Sequence, residues 1–258
     1  MKLINKVAVI TGGGSGIGAG ICREFLKEGA KIAICDISKE KAEQTIDELH
    51  GDKSLCMAVE TDVSNARAVE KASSEIEEKF GKIDIWVNSA GVSYIIPFLD
   101  CSEALWDNTI AVNLKGTFNG CKAAIKRMIK HNSGVVLNMS SQSGKKGSEQ
   151  YTAYCASKFG IIGITQSLAM EFAKNNIRVN ALCPGVVFTP LWDNMIADYA
   201  SKRNIEVKDV RSYFENKIPL GRICNIEDVA RTAVFLASDD ASYITGQSIN
   251  ITGGTIMH

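Results

Sequence analysis

Lys6-Val7-Ala8-Val9-Ile10-Thr11-Gly12-Gly13-Gly14-Ser15-Gly16-Ile17-Gly18 is the stretch that decides the fold. Its first six residues form a β-branched run, the pattern of a strand buried on both faces. Beyond the glycines, Ile21, Phe25 and Leu26 recur at the spacing of one helix face. Strand, glycine turn and helix in that order open a βαβ unit. Without Cβ atoms the loop backbone can come close to a pyrophosphate, whose charge then faces the positive helix N-terminus. The spacing Gly12-x-x-x-Gly16-x-Gly18 departs from the usual G-x-G-x-x-G, so the loop alone also fits a tight turn without a ligand.

Outward from this loop, short apolar runs alternate with amphipathic segments, as in a parallel sheet wrapped by helices. Further strands are predicted at Lys31–Cys35, Leu55–Val59, Ile83–Val87, Gly134–Ser140 and Arg178–Leu182. Between them, Ser38 caps a helix with the stripe Ala42, Ile46, Leu49, and Val69, Ala72, Ile76 and Phe80 mark another. A long helical region runs through Asn113 to Arg127, and a helix spans Tyr151–Ala173. The expectation is six βα-type repeats in a single α/β domain over residues 1–258, a doubly wound parallel sheet flanked by helices.

Composition excludes several classes. Lysine plus arginine and aspartate plus glutamate both number 29, which leaves no basic footprint for nucleic acid or anionic membrane. No run reaches transmembrane length, and the first apolar run is too short for a signal sequence. The eight cysteines are scattered with no metal-ligand spacing, and read as reduced thiols of a cytoplasmic protein. His50, His131 and His258 match no ligand or triad spacing and read as surface or helix-end residues. No metal is expected.

Two further observations turn the glycine loop into a candidate site. Asp36 closes the second strand, where a carboxylate accepts both hydroxyls of an adenosine ribose and repels a 2′-phosphate. With Ser15, which is not basic, in the loop, that favours NAD over NADP. Tyr154 and Lys158 are spaced i, i+4, one above the other on a helix face. An ammonium there is expected to bring the phenol's pKa down toward the working range. Ser141 follows the Gly134–Ser140 run and can hydrogen-bond a substrate oxygen opposite that tyrosine. Tyr151 is a rival proton donor.

Thr11-Gly12-x-x-x-Gly16-x-Gly18, Asp62, Asn88-Ser89-Ala90-Gly91, Asn113, Ser141, Tyr154-x-x-x-Lys158 and Pro184-Gly185 resemble, in order and spacing, the short-chain dehydrogenase/reductase family over essentially the whole chain. The resemblance implies a Rossmann fold, hydride exchange with a nicotinamide, a small-molecule substrate and a homotetramer or dimer built on two helices that include the tyrosine-bearing one. It implies Tyr154 as acid–base, Lys158 as its partner and ribose ligand, Ser141 as the substrate-orienting hydroxyl and Asn113 as holder of a relay water. For the cofactor it implies Gly12, Ser15, Gly16, Ile17 and Gly18 at the phosphates, Asp36 and Ile37 at the ribose, and Asp62 and Val63 at adenine. Asn88, Ala90 and Gly91 would line the channel, and Pro184, Gly185, Val187 and Thr189 would grip the carboxamide. Ser89 stands where the family usually has a second asparagine, with little expected effect.

Within the family the sequence resembles sugar-alcohol dehydrogenases of the sorbitol-6-phosphate 2-dehydrogenase type. That likeness lies in Ser143-Gly144-Lys145, in Tyr199-Ala200-x-Lys202 with Ile218-Pro219-Leu220, and in the tail Ala241–Asn250. Free and phosphorylated polyols both remain open, because Lys145 and Lys146 either hold a phosphate or are solvated. Gln142 and Glu149 suit polyol hydroxyls. The pocket loops are expected at Ser93–Phe98, Gln142–Tyr151 and Val186–Arg222, the last as a substrate lid between strand six and the last helix. There Thr189-Pro190 reads as an N-cap and first helical residue, followed by Leu191, Met195, Ile196 and Tyr199 on one side. Trp192, on that segment, is a pocket-wall candidate, whereas Trp106 is not. A hydroxysteroid dehydrogenase, a 3-oxoacyl reductase and a non-catalytic nucleotide-binding scaffold are the alternatives.

Overall fold

Seven parallel strands form one sheet in the order β3-β2-β1-β4-β5-β6-β7, the doubly wound Rossmann arrangement. The computed structural model describes residues 1–49 and 52–258, so the reading of His50 lies outside the described residues. In chain order the strands are β1 (Val7–Thr11), β2 (Lys31–Asp36), β3 (Cys56–Glu60), β4 (Ile85–Asn88), β5 (Gly134–Met139), β6 (Ile177–Pro184) and β7 (Ser248–Ile251). Helices α1 (Gly16–Lys27), α2 (Lys39–Glu48) and α3 (Ala66–Phe80) follow the first three strands. α4 (Glu103–Thr109) passes through a π-helical turn, Ile110–Lys115, into α5 (Gly116–His131), and α6 (Thr152–Phe172) follows β5. Three short helices, α7 (Pro190–Asp193), α8 (Ile196–Arg203) and α9 (Val210–Glu215), precede α10 (Ile226–Ala237).

The strand alternation sorts the core into two layers. Ala8 and Ile10 of β1 face Phe25 of α1 and Val229 and Ala233 of α10, while Val7 and Val9 face Val69 and Ile76 of α3 and Met128 of α5. As predicted, the Ser38 hydroxyl caps α2 by accepting the Lys41 N–H at 3.2 Å. The first five expected strands are present with boundaries moved by one or two residues, and β6 runs from Ile177 on to Pro184. The seventh strand is an element that sequence reading missed. Ser248–Ile251 is a four-residue, half-buried edge strand that pairs with Ala181–Pro184, so its apolar signal is only Ile249 and Ile251. Among the described residues no helix is long and apolar enough to cross a membrane. Six of the eight thiols are buried as small side chains.

A polar seam runs through the centre of the second layer. Asn88 on β4 and Asn138 on β5 are register partners, and the Asn88 amide donates to Asn138 Oδ1 at 2.9 Å. Asn138 in turn donates to the Thr165 hydroxyl of α6 at 3.0 Å, and Trp86 Nε1 donates to Asn88 Oδ1 at 2.8 Å. Buried amides are costly unless satisfied, so this seam fixes the β4–β5–α6 register rather than merely tolerating it. Asn138→Ala leaves several buried groups unpaired, and is expected to cost about 2–3 kcal/mol of unfolding free energy in urea titrations. A loss within the few tenths typical of surface substitutions would show the seam to be incidental.

Candidate active site

Where β1 and β4 part to opposite sides of the sheet, their carboxyl ends open a cleft of about 450 Å³. This is the switch point at which doubly wound sheets bind ligands. Asp36, Ile37, Asp62 and Val63 line one end of it, and Ser141, Tyr154 and Lys158 the other. Ser15, Ile17, Ala90 and Gly91 line the middle, together with Gly12, Gly16 and Gly18 of the loop. Pro184, Gly185, Val187 and Thr189, off the end of β6, cover it.

The glycine loop is shaped by close approach. A Cβ on Gly18 would lie 2.1 Å from the Gly12 carbonyl oxygen, and Gly12 itself has φ 64° with Ala90 Cα 2.7 Å from where its Cβ would be. Only bare backbone fits, leaving a cradle at the start of α1 that suits a diphosphate. Asp36 ties the loop to the second strand: Oδ2 accepts the Gly14 N–H at 3.0 Å and Oδ1 the Ser38 N–H at 3.1 Å. A carboxylate oxygen accepts more than one bond, so both still have capacity toward the cleft. Asp62 uses Oδ1 for Ser64. Thr11 joins β1 to the far wall, its hydroxyl accepting the N–H groups of Ser89 at 3.1 Å and Ala90 at 3.3 Å.

At the other end α6 delivers Tyr154 and Lys158 to the end of β5. Lys158 is only 4% exposed, its Nζ donates to the Met139 carbonyl at 2.8 Å, and it lies 5.4 Å from the Tyr154 ring centroid. The Ser140 hydroxyl donates to the Lys158 carbonyl at 2.9 Å, locking the helix to the strand end. Tyr151 also lines the cleft, with its ring 6.0 Å from that of Tyr154, but the cation over it is Lys202 at 4.8 Å. The structure thus brings Ser141, Tyr154 and Lys158 together and gives Tyr151 a different partner.

The electrostatics correct one expectation. Lys158 does not bring the phenol down in the protein alone. Burial pushes Tyr154 up to about 12, with the Ser141 hydroxyl the main opposing influence. Burial likewise lowers Lys158 to about 8. Desolvation is the largest influence on both groups, and no carboxylate among the described residues pairs with the ammonium.

Two expected site residues stand behind the cleft wall. The Asn88 side chain points into the polar seam, and Ser89, not Asn88, lines the cleft. Asn113 is fully buried in the π-helical turn, where its amide donates to the Val92 carbonyl at 2.9 Å and the Ser157 hydroxyl at 3.1 Å. Its Oδ1 accepts the Val92 N–H at 2.8 Å, so the side chain braces the cleft wall. Ser157 passes the contact on, donating to the Tyr154 carbonyl at 2.7 Å. Sequence reading overlooked Thr61, Val92, Val112 and Ser140, wall residues whose only signal was their place at strand ends or helix turns.

The substrate end is closed by Trp192, Met195, Tyr199 and Phe214, which pack with Phe188 into an aromatic cluster. Trp192 lines the cleft as expected, and Trp106 does not. Pro190 opens α7, but the Thr189 side chain makes no capping bond. Of the Gln142–Tyr151 loop, Gln142, Ser143, Ser148 and Tyr151 face the cleft, whereas Lys145, Lys146 and Glu149 do not. Ser93 faces it too, and Tyr94–Phe98 turns away.

A buried, unpaired ammonium is a burden on the folded state. With its folded pKa below the ordinary value, Lys158 binds fewer protons than in the unfolded chain from about pH 8 upward. Its cost is therefore complete below that pH and fades as pH rises toward the ordinary lysine value. Lys158→Met is expected to stabilise the protein by about 2 kcal/mol at neutral pH, a gain that shrinks by pH 10 in denaturant titrations. A less stable variant at pH 7 would contradict this.

The comparisons agree with this geometry. The family profile described as Enoyl-(Acyl carrier protein) reductase matches residues 12–256. D-threitol dehydrogenase of Mycolicibacterium smegmatis is 40% identical over 98% of this chain and 94% of that protein. Among solved structures, sorbitol-6-phosphate 2-dehydrogenase SrlD from Erwinia amylovora superimposes with a TM-score of 0.93 at 34% identity, covering 97% of this chain and 100% of that one. A 3-ketoacyl-(acyl-carrier-protein) reductase from Brucella melitensis complexed with NADH gives 0.90 at 33%, over 99% and 100%. With the glycine cradle, the Ser141–Tyr154–Lys158 corner and these likenesses along its length, the chain belongs to the short-chain dehydrogenase/reductase family.

Proposed function

We propose that this chain is an NAD(H)-dependent oxidoreductase that interconverts a secondary alcohol and a ketone, the alcohol being a sugar alcohol or its phosphate. The observation that carries the reading is one cleft with a glycine cradle and Asp36 at one end and Ser141, Tyr154 and Lys158 at the other. Asp36 supports NAD, because a 2′-phosphate would face a carboxylate there, and the next residue is Ile37 rather than a base. The sugar-alcohol part rests on the relatives that act on threitol and sorbitol 6-phosphate.

A bound NAD would supply the hydride acceptor at the nicotinamide. In the alcohol-oxidising direction the Tyr154 oxygen takes the hydroxyl proton, while the Ser141 hydroxyl holds the same substrate oxygen. In reduction the neutral phenol gives the proton back. Lys158 contributes a cation anchored on the Met139 carbonyl, and the aromatic cluster excludes water. The apolar side chains of Trp192, Met195 and Phe214 also support a second reading, a flatter and more hydrophobic alcohol such as a hydroxysteroid. We further propose a cytoplasmic homo-oligomer, tetramer or dimer, without nucleic-acid or membrane partners. On α5 and α6, Phe118, Phe159 and Met170 are 51%, 46% and 84% exposed, an apolar face suited to a second copy.

Turnover assays with NAD and NADP against threitol, sorbitol 6-phosphate and a hydroxysteroid test the reading. NAD is expected to be preferred at least roughly tenfold, and Tyr154→Phe to lose about 10²–10⁴ in kcat, against less than about tenfold for Tyr151→Phe. Near-wild-type turnover in Tyr154→Phe would overturn the assignment. With the phenol held high, alcohol oxidation should climb steadily with pH between 6 and 9 while ketone reduction stays flat or falls; the opposite slopes would reject Tyr154 as the proton carrier. Light scattering should give a multiple of 27.9 kDa, and Met170→Glu should lower it; a mass of one chain would remove the oligomer.

A further inference from the structure

We propose that the alcohol is taken unphosphorylated: a neutral polyol whose hydroxyls are met by Gln142, while the cations nearest the substrate end are held behind the pocket wall by Glu149. The inference rests on the sugar-alcohol reading above and narrows it, since the relatives include enzymes named for both kinds of substrate.

Charge carries the argument. A phosphate monoester brings about −1.5 to −2 charges at neutral pH and calls for Arg, Lys or a cluster of N–H donors. Among the described residues the charged side chains lining the cleft are Asp36 and Asp62, at the end away from Tyr154, and Lys158. Lys158 is buried and already bonded to the Met139 carbonyl. Lys145 and Lys146 lie just after the Gln142–Gly144 turn, which puts Gln142 and Ser143 into the wall and leaves both lysines outside it.

Of the remaining nearby cations, Arg211 of α9 lies over the Phe188 ring and pairs with Glu215 Oε1 at 3.1 Å, and the other two come from α8 and are also engaged. Arg203 Nη1 pairs with Glu149 Oε1 at 2.9 Å, and its guanidinium lies 5.8 Å from the Tyr199 ring. Lys202 donates to the Glu149 carbonyl and sits over the Tyr151 ring. Tyr151 and Tyr199 line the cleft and the two cations do not, so the aromatic rings separate positive charge from substrate. Glu149 therefore fastens the 142–151 loop to α8 instead of reaching a ligand.

What the wall does offer is neutral and two-sided. The Gln142 carboxamide has no hydrogen-bond partner among the described residues, and it both donates and accepts, as a hydroxyl does. Ser143 and Ser148 add hydroxyls on the same loop. Such a set discriminates by hydrogen bonding, and leaves a dianion desolvated without compensation.

Initial rates with NAD on D-threitol, D-sorbitol and D-sorbitol 6-phosphate, with calorimetric titration of the same three into the NADH complex, test the proposal. The free polyols are expected to exceed the phosphate ester at least roughly tenfold in kcat/KM and in affinity, as for a charge with no partner. Gln142→Ala should act chiefly on KM, with a larger loss on D-threitol than on 2-butanol. Glu149→Gln, which loosens Arg203, should narrow the gap between sorbitol and its phosphate. A phosphate ester used as well as the free polyol, equal losses on D-threitol and 2-butanol, or an unchanged gap in Glu149→Gln would overturn the proposal. Turnover of a hydroxysteroid but of no polyol would instead overturn the sugar-alcohol reading, and this inference with it.

Discussion

The bond from the Lys158 ammonium to the Met139 carbonyl is the constraint on which the site depends. It takes a full charge out of water and sets it at the tip of a central strand, with no carboxylate beside it among the described residues. Desolvation of this kind is expensive, and the protein meets it with one carbonyl and with the surrounding order. The Ser140 hydroxyl holds the Lys158 carbonyl, and the polar seam of Asn88, Asn138 and Thr165 holds β4, β5 and α6 in register beneath it. Stability is spent where a cation is required next to a phenol.

Asn113 extends this bracing to the opposite wall. The π-helical turn places its amide between Val92 and Ser157, and Ser157 reaches the carbonyl of Tyr154. Single-turn widenings of a helix recur at functional sites because they turn one residue out of the regular ladder. Here the residue turned out joins the loop after β4 to the helix bearing the phenol, so the two walls are positioned by a common side chain.

Much of this was legible in the sequence. The glycine loop, Asp36 and the i, i+4 pair of Tyr154 and Lys158 each imply their geometry through local chain physics: absence of Cβ, strand ends and helix pitch. All but two of the expected site residues line the cleft, and the exceptions, Asn88 and Asn113, are amides whose direction depends on neighbours distant in sequence. The same limit applies to the electrostatics. Adjacency on a helix predicts that a cation lowers the phenol, whereas the burial that pushes Tyr154 up comes from three-dimensional packing. β7 escaped because a four-residue edge strand has too few positions for a period to appear. On the chain Lys145 and Lys146 fit either a phosphate or solvent and Glu149 suits a polyol, and the fold after Ser141 leaves all three out of the cleft.

Direct titration of the buried ammonium tests the account most closely. NMR of the protein carrying lysine labelled with ¹³C at Cε, with Lys158→Met used to assign its signal, follows that group alone. The account predicts a midpoint near pH 8 for Lys158 in the coenzyme-free protein. A midpoint at or above the ordinary lysine value of about 10.4 would mean that the charge is well solvated or paired, and the arrangement derived from its burial would be contradicted.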